Sequence, residues 1–459
     1  MAREPMKDVI VLLPGILGSV LQRDGKDVWA MSAGAAFRGL LSMGKSIEKL
    51  QLHGDDAETD DLGDGVVATG LLPDLHLVPG LWKIDGYGAI AKELHERFEL
   101  VDGQNYFEFP YDWRRDNRVH GRRLARQAHD WLANWRESSG NTAAQLILLA
   151  HSMGGLVSRA YLELYDGWKD TKALITFGTP YRGSLNAVDF LVSGMKRGFG
   201  PIGIDLTDFL RSLTSVYQLL PIYPAIETEG ALLRVAEIEI PGIDQVRAAE
   251  ALAFHRSIEY AVEQHSADSK YADGGYRIHP IVGIGQPTLQ SARLDGDAVT
   301  LLRTHGGRDH SGDGTVPRVS AMPIEMTDAA DGVFSPAVHS SIQNTENALT
   351  QVTGIITGAD IDLGAFRDRY AGISIDLPDL VDAAAGLRIA GRPTGGRDTG
   401  LTATVTDADS GVVAWSGSLI EDVEWHVATT PPLSPGIYRV AVASETAELT
   451  DLVWAAGPE

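Results

Sequence analysis

The 459-residue chain contains no cysteine. Disulfides and thiolate metal sites are therefore excluded, and a reducing compartment is the expectation, because disulfides persist only where the surroundings oxidise. No apolar run approaches the ~20 residues a helix needs to cross a bilayer. The opening residues, Met1 to Lys7, are charged and lead straight into Val9-Ile10-Val11-Leu12-Leu13, which is too short for a secretion signal. A cytoplasmic location follows as an expectation. Basic residues are scarce as well: 39 Lys and Arg face 62 Asp and Glu, a formal charge of −23. Nucleic acids and strongly anionic bilayers are bound through clustered cations, so neither is expected as a partner. The hydrophobic share, 44%, is ordinary for a globular protein with a large core. The length suits two or three domains.

Against that background one segment stands out. The apolar run Leu146-Ile147-Leu148-Leu149 is followed by Ala150-His151-Ser152-Met153-Gly154-Gly155, and then by the helical pattern Leu156-Val157-Ser158-Arg159-Ala160-Tyr161-Leu162. A strand, a sharp turn and a helix are the setting of a nucleophile elbow. The turn strains the backbone at the serine, and bulky residues two positions away would meet the neighbouring strand and helix. Ala150 stands where glycine is more usual. Ser152 would then lie exposed at the top of a sheet, near helix N-terminal donors suited to an oxyanion.

A serine nucleophile needs a base, and the base an orienting acid. In this architecture the chain order is Ser, then Asp or Glu, then His. Asp313, bracketed by glycines in Ser311-Gly312-Asp313-Gly314-Thr315-Val316-Pro317, and His339, in Ala337-Val338-His339-Ser340-Ser341-Ile342 at the opening of a helical stretch to about 353, follow in that order. Asp-Gly also favours an ordinary Asx-turn, and His339 could be a plain helix-start residue. His151 is read as packing, and Asp309 and His310 as loop residues. One Asp-His pair is poor evidence for a metal; no metal or cofactor is expected.

Five segments together resemble the lecithin:cholesterol acyltransferase family, which also includes lysosomal phospholipase A2 and phospholipid:diacylglycerol acyltransferases. They are Leu13-Pro14-Gly15-Ile16-Leu17-Gly18-Ser19, Pro110-Tyr111-Asp112-Trp113-Arg114, the Ala-His-Ser-Met-Gly-Gly elbow, Gly178-Thr179-Pro180-Tyr181-Arg182-Gly183-Ser184 and Gly312-Asp313-Gly314-Thr315-Val316-Pro317. Ser215-Val216-Tyr217-Gln218-Leu219-Leu220-Pro221 adds a sixth likeness. The resemblance implies an α/β-hydrolase with Ser152 as nucleophile, Asp313 as acid and His339 as base. It also implies an oxyanion hole from the backbone N–H groups of Ile16 and Met153. Leu17, Tyr111, Trp113 and Tyr181 are candidates to line the substrate, since the segments carrying them fall at the carboxyl edge of the sheet. Trp113 serves equally well as a wedge under the next helix, whose N-cap would be Asp116.

The organisation divides into three. To about residue 184, strands alternate with helices over 87–98 and 116–136, which predicts a central, mostly parallel sheet. Residues 185–275 read as a helical cap without strong strands, with helices over 186–195, 206–213 and 246–263. Phe190, Leu191, Phe199, Leu210 and Tyr217 could cover a lipid chain or form the cap's own core, and the loops 198–203 and 221–230 could serve as hinges. A strand returns over 278–284, then a hairpin over 289–304 turning at Asp295-Gly296. Beyond 358 lysine is absent and short alternating runs over 401–406, 412–415, 423–427 and 437–442 predict an all-β, Ig-like sandwich module over 358–459. The hydrolase unit would occupy 1–357.

The expected activity is cleavage of carboxylic esters of lipids, above all phospholipids, through an acyl-serine intermediate. Acyl transfer to an alcohol shares the machinery and stays open. So does a partner-regulated component whose hydrolase unit is held closed or silent. The expected partners are an ester or lipid substrate, a transient neutral membrane or micelle surface, and a protein through the C-terminal module.

Overall fold

Unbroken runs of Val, Ile and Leu belong in a sheet covered on both faces, and this is where the chain puts them. The computed structural model describes residues 3–457 apart from 30–49, 74–75, 79–81, 195, 200–201, 327–331, 359–371, 395–399, 423–424 and 446. Six strands make the central sheet: β1 (Val9–Leu13), β2 (Tyr106–Glu108), β3 (Leu146–His151), β4 (Thr171–Phe177), β5 (Arg277–Gly283) and β6 (Val333–Ser335). Their order is β6-β5-β4-β3-β1-β2, and every neighbouring pair is parallel. Every residue of β1 and β3 is buried.

The order decides where a site can lie. The chain begins at β1, goes out to β2 on one side, and returns to the other side at β3 before stepping outward to β6. The crevice where that direction reverses, at the carboxyl ends of β1 and β3, is where open α/β sheets take ligands. The loop at 14–18 and Ser152 both open onto it.

The helix Asn117–Ser139 starts where Asp116 accepts from the Arg118 N–H and ends at Gly140, with φ 70°. The helix over 87–98 is seen as Gly88–Arg97. The segment 337–342, expected to open a helical stretch to about 353, is a loop carrying His339; a 3₁₀ turn Ile342–Asn344 and a helix Glu346–Thr357 follow. Thr345, which accepts from the Ala348 N–H, is the cap that moves the start.

The cap, expected to be helical without strong strands, also holds short ones. Helices Leu185–Val192, Thr207–Ser212, Thr214–Gln218, Gln245–His265 and Ser269–Gly274 are present. Between them lie two hairpins, Lys196–Phe199 with Ile202–Asp205, and Ile226–Thr228 with Ala231–Leu233. The second pairs in parallel with Ser291–Asp295, itself one arm of the hairpin expected at Asp295-Gly296. Strands this short carry too little alternation to be seen in the sequence. Pairing also ties part of the hinge placed at 221–230 into a four-stranded sheet. Residues 200–201 of the other hinge, and the side chain of Phe199, lie outside the described residues.

The C-terminal part forms a four-stranded and a five-stranded sheet. Ile373, Ile375, Leu387 and Ile389 pack there with Val405, Val440, Val442 and Val453 in one apolar cluster, separate from the core around the central sheet. All pairings are antiparallel except that of Leu380–Asp382 with Glu448–Ala456. The boundary placed at 358 adjoins residues 359–371, outside the described residues.

Candidate active site

The turn after β3 leaves Ser152 with φ 52°, a left-handed conformation that costs a non-glycine residue about 1–2 kcal/mol. The surroundings hold it there. Its N–H donates to the Phe177 carbonyl (2.9 Å), and its own carbonyl accepts from the Gly155 N–H (3.0 Å) and the Thr179 hydroxyl (2.9 Å). Gly154 must be small because a Cβ there would stand 2.5 Å from the Pro14 carbonyl oxygen. Ala150 is fully buried in the strand.

Asp313 comes from a turn beyond the hairpin of Ser291–Asp295 and Ala298–Leu302 that follows β5, and His339 from the loop after β6. The Ser152 hydroxyl donates to His339 Nε2 at 2.9 Å, and His339 Nδ1–H donates to Asp313 Oδ2 at 2.8 Å. The carboxylate accepts only, which assigns the proton to Nδ1 and makes Nε2 the acceptor of the Ser152 hydroxyl. The other carboxylate oxygen, Oδ1, accepts from the N–H groups of Thr315 (2.9 Å) and Val316 (2.7 Å). One carboxylate oxygen of Asp313 thus makes the Asx-turn while the other holds the imidazole of His339. The three side chains are buried. Asp309 is engaged elsewhere, accepting from Gln290 Nε2 and the Ser311 N–H.

Ile16 and Met153 flank Ser152. Among the described residues neither backbone N–H donates a hydrogen bond to the protein. Ile16 and Leu17 line a narrow cavity at Ser152, together with Phe190, Leu210, Leu213 and Val216. Its volume is about 20 Å³. Among the described residues no group of three or more His, Asp or Glu is placed to hold a metal ion.

Tyr111, Trp113 and Tyr181 do not line this cavity. All three are buried. The Tyr111 hydroxyl donates to the Pro14 carbonyl (2.8 Å) and the Trp113 indole to the Ser19 carbonyl (3.2 Å). Trp113 also stands edge-on to Trp29 and Phe209. Both therefore hold the loop that carries Ile16. Tyr181 donates to the Thr176 hydroxyl at 3.0 Å. Arg114 is fully buried, gripping Asp112 through Nε (2.8 Å) and Nη2 (2.6 Å), and Asp64 at 2.9 Å.

His151 does more than pack. The Gly15 N–H donates to the Tyr87 hydroxyl (2.7 Å), that hydroxyl donates to His151 Nδ1 (2.9 Å), and His151 Nε2–H donates to the His339 carbonyl (3.0 Å). Only a neutral imidazole satisfies both neighbours. Burial, and then the nearby His339, push its pKa down to about 3. Tyr87 and His151 thus tie the loop after β1 to the segment bearing His339. Tyr87 gave no signal in the sequence beyond the start of a helix.

Residues 82–269 match the family model of lecithin:cholesterol acyltransferase. That stretch holds the Pro110–Arg114 segment, the elbow and Gly178–Ser184, so the resemblance read from the motifs holds there. No curated protein matches the chain. Among solved structures, a Bacillus licheniformis lipase in its mature form is 14% identical, with 77% of this chain and 94% of that one covered at a TM-score of 0.34. Its propeptide form is 15% identical, with 98% and 74% covered at 0.34. A Legionella pneumophila phospholipase in complex with thio-NAD is 10% identical, with 97% and 89% covered at 0.25. Among the described residues no helix is long and apolar enough to cross a membrane.

Proposed function

Because residues 82–269 match the lecithin:cholesterol acyltransferase family, we propose that the chain is a serine hydrolase that cleaves carboxylic esters of lipids through an acyl-serine intermediate. One observation carries the reading: His339 bridges Ser152 and Asp313 at 2.9 and 2.8 Å beside an apolar cavity. His339 takes the Ser152 proton as Oγ attacks the ester carbonyl, and Asp313 holds the imidazole and stabilises its charged form. The N–H groups of Ile16 and Met153 receive the oxyanion. His339 then returns the proton to the leaving alcohol, and water, deprotonated by the same imidazole, releases the acid.

Ile16, Leu17, Phe190, Leu210, Leu213 and Val216 offer the acyl chain hydrocarbon, worth about 25 cal/mol per Å² buried. With room for little more than water in the narrow cavity, the cap helices must part before a long chain enters, and a lipid surface is the natural trigger. Neutral surfaces suit a chain of charge −23, and a cytoplasmic setting suits one without cysteine. The family match favours a second reading, in which an alcohol replaces water as acyl acceptor.

The test is a chain-length series of p-nitrophenyl esters with and without neutral vesicles, with products resolved in the presence of a long-chain alcohol. Ser152→Ala should be inert, and kcat/KM should rise from acetate to esters of about eight carbons or more, further with vesicles. An optimum at about two to four carbons, indifferent to vesicles, would refute the lipid substrate. Acyl-alcohol as the main product would select transfer.

A further inference from the structure

The C-terminal sandwich contributes no residue to the triad, yet its contacts converge on the two segments that carry the acid and the base. Val338, next to His339 in sequence, is buried not in the hydrolase core but in the apolar cluster of the sandwich, with Ile373, Ile375, Leu387 and Val440. Ser340, on the other side of His339, accepts a hydrogen bond from the Asp85 N–H at 2.9 Å. The Asp85 carboxylate is paired with Arg439 of the sandwich at 2.8 Å. The base is therefore gripped on both flanks by contacts that begin in the module.

The acid is held in a similar way. The Gln286 N–H donates to the Gly312 carbonyl at 3.0 Å, and Gln286 bridges to Asp313. Its side-chain amide, buried, donates from Nε2 to the Ile373 carbonyl (3.0 Å) and accepts at Oε1 from the Ile375 N–H (3.3 Å). The amide behaves like one residue of an added strand, joined to the first strand of the sandwich, Gly372–Asp376. The loops bearing Asp313 and His339 leave the sheet at β5 and β6 and bond to each other through the His339 N–H and the Asp313 carbonyl (2.8 Å). The far side of each is covered by the module.

From this convergence we propose that the C-terminal β-sandwich is a positioning element of the active site. It keeps the Asp313–His339 pair in register with Ser152 through Val338, Arg439 and Gln286. The proposal rests on the triad reading above. A hydrogen-bonded base needs its ring placed to a fraction of an ångström, and a loop after an edge strand has little of its own to place it. Removing a grip should therefore loosen the imidazole and spoil proton transfer without touching the acyl cavity.

The test uses full-length chain carrying Gln286→Ala, Val338→Ala or Arg439→Ala. Turnover of a short soluble ester is divided by the serine labelled to completion with a fluorophosphonate, so that unfolded molecules drop out. Each variant should lose roughly ten- to a hundredfold in kcat per labelled serine while KM stays within about twofold. Arg439 is half-exposed, so its variant keeps the test open should the buried two fail to fold. A double variant separates positioning from general damage. In an Asp313→Asn background, already without the acid's hold on the ring, Gln286→Ala should cost less than about a further twofold. Full multiplication of the two losses would overturn the proposal, as would wild-type kcat per labelled serine in the variants that fold. Turnover surviving Ser152→Ala would instead overturn the triad itself.

Discussion

Lowering the pH from 7.5 to 5 should weaken the fold through histidines that the native state keeps neutral. Burial, then the proximity of His339, holds His151 at about 3, and burial holds His255 at about 4, against an ordinary 6.5. A depressed histidine contributes stability that is fully present above 6.5 and is lost as the pH falls toward the native value, because only the unfolded chain takes up the proton. At pH 5 the unfolded chain has gained about 1.5 pH units of protonation per residue, or about 2 kcal/mol each and about 4 kcal/mol for the pair. That figure depends little on the native values, since both lie below 5. It is a large part of the ~5–15 kcal/mol that holds a typical domain together. His120 and His279, also depressed by burial, add to the loss. Asp56, Asp60 and Asp64, all held below 3.8, respond only at lower pH. Glu108, raised by burial, works in the opposite sense, but a comparison of variant with wild type cancels it. His255→Gln supplies that comparison, since an amide N–H can still reach the Gln218 carbonyl that His255 Nε2 meets at 2.8 Å. Unfolding midpoints measured across the window should fall for both proteins, less steeply for the variant by about 2 kcal/mol. Parallel losses, or a flat wild type, would refute the assignment of a neutral buried His255.

Two further predictions concern the acid and its surroundings. Asp313→Asn should lower kcat for ester cleavage by roughly 10⁴, while Asp309→Asn should leave it within about threefold; equal losses would reassign the acid. Gly178 has φ 56°, and a Cβ there would lie 2.7 Å from Asp313 Oδ2 and 2.9 Å from His339 Nδ1. Gly178→Ala should therefore part acid from base and reduce kcat per labelled serine by about 10², and undiminished turnover would show that the pair has slack.

What was legible in the sequence is what long, regular patterns carry. β1 and β3 announce themselves as unbroken apolar runs, and the helix 117–139 by its periodicity and caps. The order of Ser152, Asp313 and His339 brings together three side chains separated by up to 187 positions. Partners chosen by tertiary placement were not legible. Nothing in Gln286 or Val338 as letters says that the one pairs with Ile373 and the other packs into a second domain's core. The cap strands were hidden for a related reason. A three-residue strand such as Ile226–Thr228 is specified by its neighbour Ser291–Asp295, not by its own pattern.

The Pro110–Arg114 segment shows how position and role come apart. It follows β2 at the carboxyl edge, where a large aromatic and an arginine suggest contact with substrate. Yet the polar side-chain groups of Tyr111, Asp112, Trp113 and Arg114 are bonded to the protein itself. Trp113 and Tyr111 reach back to the carbonyls of Ser19 and Pro14 at either end of the loop that carries Ile16. Arg114 holds Asp64 and the Leu50 carbonyl, and Arg115 holds Asp55 with the carbonyls of Asp56, Thr59 and Asp60. The carboxylates of Asp55, Asp60 and Asp64 are thus paired with guanidinium groups. With Ile16 in the oxyanion role proposed above, the demands on the segment are as strict as those on a substrate wall, because such a donor is useful only when its backbone is fixed before the reaction begins. A motif can therefore stand at the edge of an active site for the sake of the loop beside it.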